Sequence, residues 1–468
     1  MLLNKYKTKY CLLMGGNPPQ GSLTEFAACR SDKVALEYLE MHPDFIVTAT
    51  DSNGLTPLHH AVTSGFKGVT EALLKKGADM YTQDNFGQTP FHTAVRMQNK
   101  ELVEIFLKQS VNVDAKNTFK ETPLHLAVNS GNKEIVQMLL HYNADINTKN
   151  TFNETPLHLA VKSVNKDIVQ VLLDTSVDID AEDTFGTPYE YASRDHGQDE
   201  TEAAKTIKKL LLDKAFKTAL HCTSKEDAIK YLKRYSDIIT SDEFFLHQAV
   251  RSAKNTFLIE AMLDRGADVN AFDMQCTPLH YAISRNEEDF VNVLLSKKGV
   301  AIDKRDRNED TPLMLAVKMN TKPEIVRALL DKGADVTLED KSRYTPLMLA
   351  VTYNGNPEIV QAFLEKDADV NVKNADDCTP LHLAIINGRL PEIVQALLKK
   401  DADVNALERR GLTPLYIAAT LGQTDTVKIL LKHRADVTSI PKDVFSGLSQ
   451  EMQTLLLTYR VSCGVCNP

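Results

Sequence analysis

A tetrapeptide that returns at a fixed interval is the strongest constraint this chain carries. Thr56-Pro57-Leu58-His59 recurs as Thr89-Pro90-Phe91-His92, then from Thr122 to His125 and from Thr155 to His158, each step 33 residues. A second run opens at Thr277-Pro278-Leu279-His280 and continues at Thr311, Thr345, Thr379 and Thr413, each step 34 residues. A period of this length means supersecondary units stacked in a row, none able to bury its own apolar face alone. Length then adds units rather than cores, so 468 residues need not divide into several globular domains.

The segment from Thr122 to Asn150 shows how one unit folds. Thr122 suits a helix N-cap, and Pro123 falls at the first helical position, where its missing N–H costs nothing. Leu124, Ala127 and Val128 give a short inner helix with one apolar stripe, ended by the turn residues Asn129-Ser130-Gly131-Asn132. Glu134 starts a second helix, where a negative charge suits the dipole, and Ile135, Val136, Leu139 and Leu140 share its buried face. Asn143 to Asn147 then leads into a hairpin loop. In the 34-residue units, Pro323, Pro357 and Pro391 each precede Glu-Ile-Val, which places proline near the start of the second helix.

The period and the Thr-Pro-Leu-His signature resemble those of ankyrin repeats, over roughly residues 21–440. The resemblance implies an all-α fold, an ankyrin-repeat solenoid of about 12–13 helix-turn-helix repeats with hairpin loops, in two blocks separated by an irregular middle. It also implies a structural hydrogen bond for the motif histidines, of which there are eight: His59, His92, His125, His158, His221, His247, His280 and His382. Members of the family bind partner proteins through hairpin tips and the exposed side of the inner helices. Asn147, Asn270, Asn371 and Asn405 stand where ankyrin repeats are typically modified by asparagine hydroxylases.

Breaks in the pattern mark the organisation. Residues 1–20 form an N-terminal arm, and 21–213 an N-terminal block whose first repeat is a degenerate cap with a helix near Asp32 to Met41. Thr187-Pro188-Tyr189-Glu190 opens a repeat enlarged by the polar stretch Arg194 to Glu200. The hairpin expected after its second helix is missing, and Thr218-Ala219-Leu220-His221 is a damaged motif, so 214–243 is an irregular repeat where a kink is expected. The C-terminal block is 244–440. Residues 441–468, with Val444, Leu448, Met452, Leu455 and Leu456 at helical spacing, form a capping helix and tail. Only Ile440-Pro441 and scattered aliphatics there resemble the F-box-like ends of some viral and bacterial ankyrin proteins.

Mapped onto hairpin tips, the first block offers Phe86, Phe119, Phe152 and Phe185, spaced 33 apart. Turns favour polar residues, so a row of aromatic tips reads as an interface, since aromatics are enriched in binding hot spots. The alternative is that each ring packs on the neighbouring hairpin and stiffens the stack. Tips of the second block carry Arg307, Lys341, Arg409 and Arg410 instead, alongside Asn308, Ser342, Ala375 and Asp376. Exposed inner-helix positions add Arg96 and Met97, Lys318 and Met319, Thr352 and Tyr353. Two partners, or one elongated partner, fit that asymmetry.

Charge narrows the partners further. Fifty-four basic and 63 acidic residues leave −9, a balance unsuited to general nucleic-acid binding. From Lys205 to Arg234, nine basic residues face three acidic ones. Lys205, Lys208, Lys209, Lys214, Lys217, Lys230, Lys233 and Arg234 form a candidate patch for an acidic partner or anionic lipid, or simply a solvated helix face. No stretch approaches the run of about 18 apolar residues that spans a membrane, and the apolar run Cys11 to Met14 is too short for a signal-peptide core. Seven cysteines in no dense framework suit a reducing compartment, so a cytoplasmic monomer is the expectation.

The chain holds no phosphate-binding, dinucleotide, zinc-protease, hydrolase or kinase motif. Cys463-Gly464-Val465-Cys466 has metal or dithiol spacing but no second ligand pair, and Cys222 falls in the degenerate inner helix. No cofactor, metal or catalytic residue is expected. The reading is a protein-binding scaffold or adaptor. One alternative is an effector of an intracellular bacterium or virus acting in host cytosol. A cysteine-dependent enzyme centred on 194–243 is the rival from another class.

Overall fold

The computed structural model describes residues 22–194, 201–240 and 244–462. The N-terminal arm, residues 195–200 of the polar stretch and the Cys463–Cys466 pair lie outside the described residues. Among those described, the regular elements are helices joined by turns and hairpin loops, with no strand. The chain divides into two compact units, Met1–Ala215 and Phe216–Pro468.

In the first unit each full repeat pairs a seven-residue inner helix with an outer helix of eight or nine, as in Pro123–Asn129 with Lys133–His141 and Pro156–Lys162 with Lys166–Leu173. Isolated helices shorter than about 12–15 residues are marginal in water, so these exist only because neighbours bury their apolar faces. Leu124, Ala127, Val128, Ile135, Val136 and Leu139 are all fully buried, and each inner helix packs on the next inner helix. Asn99, Asn132 and Asn165 cap their outer helices by accepting from the N–H three residues on, at 3.1 Å in each case. The first outer helix, Lys67–Lys75, has Phe66 at its cap and gets help from elsewhere. Asp32 of the preceding helix Asp32–Met41 accepts from Gly68 N at 2.9 Å and Val69 N at 2.8 Å. Phe26, Tyr38 and Phe45 close the N-terminal end as a buried ring cluster.

One turn in this unit is strained. The residue between inner and outer helices takes a left-handed backbone, filled by Gly65 and Gly131 in two repeats but by Val164, at φ 51°, in a third. A β-branched residue there is an outlier, because its Cβ crowds the following carbonyl.

The 18-residue helix Glu202–Ala219 differs from other outer helices. Lys214 sends its ammonium to the Leu173 and Thr175 carbonyls at 2.7 and 3.0 Å, closing the C-terminal end of the preceding outer helix. No hairpin follows. The chain turns at Thr223 into Lys225–Arg234.

In the second unit, Lys225–Arg234 packs as an outer helix on Phe257–Asp264, with Lys225 Nζ 2.7 Å from Asp264 and 3.3 Å from Glu260. Inner and outer helices then alternate from Phe244–Ser252 to Thr424–Lys432. Pro323, Pro357 and Pro391 each occupy the first residue of an outer helix. In the three 34-residue repeats from Thr311 to Thr413 the extra residue is absorbed in two ways. Lys318 and Ile386 end seven-residue inner helices and leave a longer link, whereas the Thr345 repeat widens into a π-turn over Ala350–Asn354, closed by Gly355 N donating to Ala350 O at 2.8 Å. A π-turn leaves carbonyls unmatched. Arg389 of the next repeat supplies donors, from Nε to Val351 O at 2.7 Å and from Nη2 to Thr352 O. At the end, Met452 and Leu456 of helix Gln450–Ser462 are buried, and that helix packs on Thr424–Lys432 as a cap.

Candidate functional site

Hairpin tips are built from one polar side chain folded over its own backbone. Asp84 Oδ1 accepts from Phe86 N and Gln88 N, both at 2.8 Å, and Asn117 repeats this with Phe119 N and Glu121 N, both at 2.9 Å. Asn150 holds Phe152 N at 2.8 Å, and Asp183 holds Phe185 N at 2.7 Å. Such Asx turns bury the amides and leave the side chain at the apex facing away. Neighbouring tips are then joined through the backbone. Thr118 N donates to Phe86 O at 3.0 Å, Thr151 N to Phe119 O at 2.9 Å, and the Thr184 hydroxyl to Phe152 O at 3.4 Å.

The four phenyl rings take no part in this stitching. Phe86, Phe119, Phe152 and Phe185 are 59, 50, 63 and 65% exposed, and among the described residues no ring pair joins two of them. Only Phe185 has a cationic neighbour, the Arg194 guanidinium 6.0 Å from its centroid. On the inner helices nearby, Arg96 is exposed and Met97 is 49% exposed.

The charged tips of the second unit behave differently. Lys341 Nζ lies 3.3 Å from Glu309 of the preceding tip, and Arg409 Nη1 lies 3.4 Å from Asp376 of its own predecessor. Arg410 faces Glu408 at 3.4 Å, while Arg307 is exposed and gives its backbone N–H to Gln275 O at 2.8 Å. Much of this ridge is therefore a ladder of tip-to-tip pairs, of the exposed kind that contributes little. Tyr353, on the π-turn, is 59% exposed.

Asparagines at the hairpin bases bridge adjacent repeats. Asn270 donates to Gly299 O at 2.8 Å and accepts from Ala301 N at 2.7 Å; Asn371 does the same with Asp401 O at 3.1 Å and Asp403 N at 2.7 Å. Asn147 Oδ1 and Asn405 Oδ1 accept from Asp178 N and Asp436 N, each at 2.8 Å.

The motif histidines form a second ladder. In the Thr122 repeat, His125 Nδ1 accepts from Thr122 N at 3.2 Å, and its Nε2–H donates to Glu154 O of the next repeat at 3.1 Å. His59, His92, His158, His280 and His382 repeat both contacts, and His247 also reaches a carbonyl of the following repeat. These bonds fix a neutral tautomer. Burial pushes the His59, His92, His125, His158, His280 and His382 rings below the ordinary imidazole value. His221 does not belong to the ladder. Its motif lies at the end of helix Glu202–Ala219 rather than at a helix start, and the exposed ring turns back to Lys217 O at 3.1 Å.

Of the basic patch, Lys205, Lys209, Lys217, Lys230 and Lys233 are exposed, Lys205 lying 3.2 Å from Glu202. Lys208, Lys214 and Arg234 are half-buried, and Lys214 is engaged with carbonyls as described above. Burial, with Asp227 adding to it, pushes the half-buried Cys222 thiol up, opposite to what activates a nucleophile. Among the described residues no helix is long and apolar enough to cross a membrane, and no His, Cys, Asp and Glu cluster could hold a metal.

Stacked helical pairs joined by interlocking hairpins define a repeat protein whose interactions reside in its surfaces. Models of ankyrin repeats match residues 53–81, 68–150, 141–192 and, in overlapping segments, 226–440. The chain belongs to the ankyrin-repeat family. No curated protein matches it.

Proposed function

We propose that this protein is a non-enzymatic adaptor that binds a partner protein along the phenylalanine ridge of its first unit, with Arg96 and Met97 beside it. The observation that carries the reading is four tip rings half to two-thirds exposed, while the backbone beneath them is hydrogen-bonded from tip to tip. A rigid row of aromatic side chains loses little conformational entropy on binding, which favours affinity. Rings needed only for packing would be covered by their neighbours. Opposing an enzymatic reading, the Cys222 thiol is stabilised in its neutral form and the adjacent His221 bonds its own helix.

The test is a pull-down with the wild-type chain and a Phe86, Phe119, Phe152, Phe185→Ser quadruple variant, both shown to be folded by circular dichroism. Selective loss of partners by the variant is expected. An unchanged set of partners from a folded variant would assign the rings to the stack alone.

A further inference from the structure

The repeats opened by Thr311, Thr345 and Thr379 run the same distance from motif threonine to the proline of the outer helix, yet they do not turn at the same residue. Asn320 and Gly388, each nine positions after its threonine, take the left-handed backbone, at φ 53° and 58°. In the Thr345 repeat that conformation falls one residue later, on Gly355 at φ 65°, and the π-turn over Ala350–Asn354 takes up the difference. Asn354 matches Asn320 in position and identity but stays outside the left-handed region. The bond that closes the turn is the same in all three repeats. Gly355 N donates to Ala350 O at 2.8 Å, as Thr321 N does to Ala316 O at 3.1 Å and Arg389 N to Ala384 O at 2.9 Å. Both ends of the segment are therefore held alike, and only residues 351–354 are wound differently. Asparagine and glycine tolerate a left-handed backbone best, so the Asn354-Gly355 pair suits either turn.

The π-turn strands polar groups that the neighbours' winding satisfies. Thr352 Oγ1 and Asn354 Nδ2 are buried without a hydrogen-bond partner. Hydroxyls at the position of Thr352 in other repeats bond the carbonyl four residues earlier: Thr63 to His59 O at 2.8 Å, Ser284 to His280 O at 3.0 Å, Thr420 to Tyr416 O at 3.0 Å. Asn320, at the position of Asn354, is exposed, so its amide meets solvent. Arg389 offsets this loss, with Nε on the Val351 carbonyl and Nη2 on that of Thr352. One repeat on, Gln423 has the place of Arg389, and its Nε2 donates to Ile385 O at 2.7 Å. The Thr379 repeat beneath it is wound as α-helix, with Gly388 N on the same oxygen at 3.0 Å. A two-pronged donor thus accompanies the π-turn, and a single-pronged one the α-turn.

We infer that the Thr345 repeat is a two-state switch latched by Arg389. When Arg389 lets go, Ala350–Asn354 rewinds as α-helix, Asn354 becomes the left-handed residue, and the Thr352 hydroxyl meets Met348 O. Gly355 then takes the position of Thr321, which is not left-handed. An α-turn advances each residue through a larger angle than a π-turn, so rewinding re-aims Tyr353, which is 59% exposed. Its ring moves to the place that Met319 and Leu421, 48 and 54% exposed, hold in their own repeats. A ligand that contacts Tyr353 in one aim therefore selects one winding, by as much as its affinities for the two states differ. The switch shares no residue with the phenylalanine ridge and does not depend on the role proposed for it.

Backbone NMR of the full chain reads the winding, through the carbon shifts of Asn354 and relaxation dispersion over residues 351–355. Gly355→Thr should drive Asn354 into the left-handed region. A β-branched residue at φ 65° is strained, and a Cβ there would meet Arg389 Nη1 at 2.7 Å. Thr321 shows that threonine fits the same position of the α-turn, with its hydroxyl on Ala316 O at 3.0 Å. Arg389→Gln, which copies Gln423, should raise the α-wound population about tenfold over wild type, as exchange toward a state with left-handed Asn354 shifts. Unmoved Asn354 shifts in a folded Gly355→Thr protein would overturn the switch. So would an Arg389→Gln protein with no more of the left-handed state than wild type, and that variant decides alone should the first not fold.

Discussion

Acidification from pH 7 to 5.5 should weaken the repeat stack through its buried histidines, one proton at a time. A ladder ring cannot take a second proton without directing it at the threonine N–H that its Nδ1 accepts. Burial lowers the folded-state value below that of an unfolded imidazole, so under acid the unfolded chain binds more protons and stability falls with pH. The loss begins near the unfolded value of about 6.5 and continues down to the folded one. A ring that stays neutral in the fold throughout this interval loses at most about 1.2 kcal/mol, by integrating the linkage relation. The first unit has four such rings, His59, His92, His125 and His158, hence a ceiling of roughly 5 kcal/mol. The second has His280 and His382, hence about half that. Substitution His125→Met isolates one ring, with a precedent within the chain: Met314 and Met348 occupy the same position, fully buried. At pH 7 the variant should be less stable by about 1–3 kcal/mol, since Thr122 N–H is left unsatisfied while Glu154 O keeps the Asn150 N–H at 3.0 Å. Its further loss between pH 7 and 5.5 should be smaller than that of wild type by up to about 1.2 kcal/mol. Urea unfolding at the two pH values measures both, with amide hydrogen exchange in helix Pro123–Asn129 resolving the local contribution. Equal acid losses in variant and wild type would refute the assignment of His125 as a neutral member of the ladder.

Three further substitutions act on the first unit. Val164→Gly should stabilise it by about 1 kcal/mol, the left-handed strain of roughly 1–2 kcal/mol exceeding the entropy glycine gives back. The reverse change, Gly131→Val, should destabilise by a similar amount, since a Cβ there meets nothing closer than Asn165 Nδ2 at 3.6 Å and only backbone strain is introduced; denaturant midpoints decide both. Asp32→Ala should cost about 1–2 kcal/mol in local opening of helix Lys67–Lys75, read as faster exchange at Gly68 and Val69, and unchanged exchange there would remove Asp32 from its capping role.

The repeat architecture was legible in the sequence because each unit carries its own local signals. Thr-Pro starts, asparagine caps and the helix expected near Asp32 to Met41 depend on neighbours within a few residues, and the structure has that helix at Asp32–Met41. Features that depend on the adjacent repeat were not legible. The π-turn at Ala350–Asn354 rests on Arg389, more than thirty residues on, and the sequence around Thr345 differs little from that around Thr311. Lys341 and Arg409 read as outward charges, yet each meets an acid of the preceding tip, a pairing set by stacking register. Cys222 and His221 are adjacent in sequence, but the helix that continues to Ala219 gives them separate surroundings.

The tip-to-tip bonds of the first unit give the ridge an arithmetic of its own. The Phe86, Phe119 and Phe152 carbonyls each meet a donor of the very next hairpin, at steps of 33 residues, while the Phe185 carbonyl takes Arg194 Nη2 at the end of the row. A recombination event that removes or duplicates one such segment therefore rejoins equivalent surfaces and keeps a contact from each tip carbonyl to the following hairpin. What changes is the number of aromatic tips, gained or lost as whole steps. Under the binding role proposed above for the ridge, the length of the array would set how long a partner it can grip, in whole steps of one repeat.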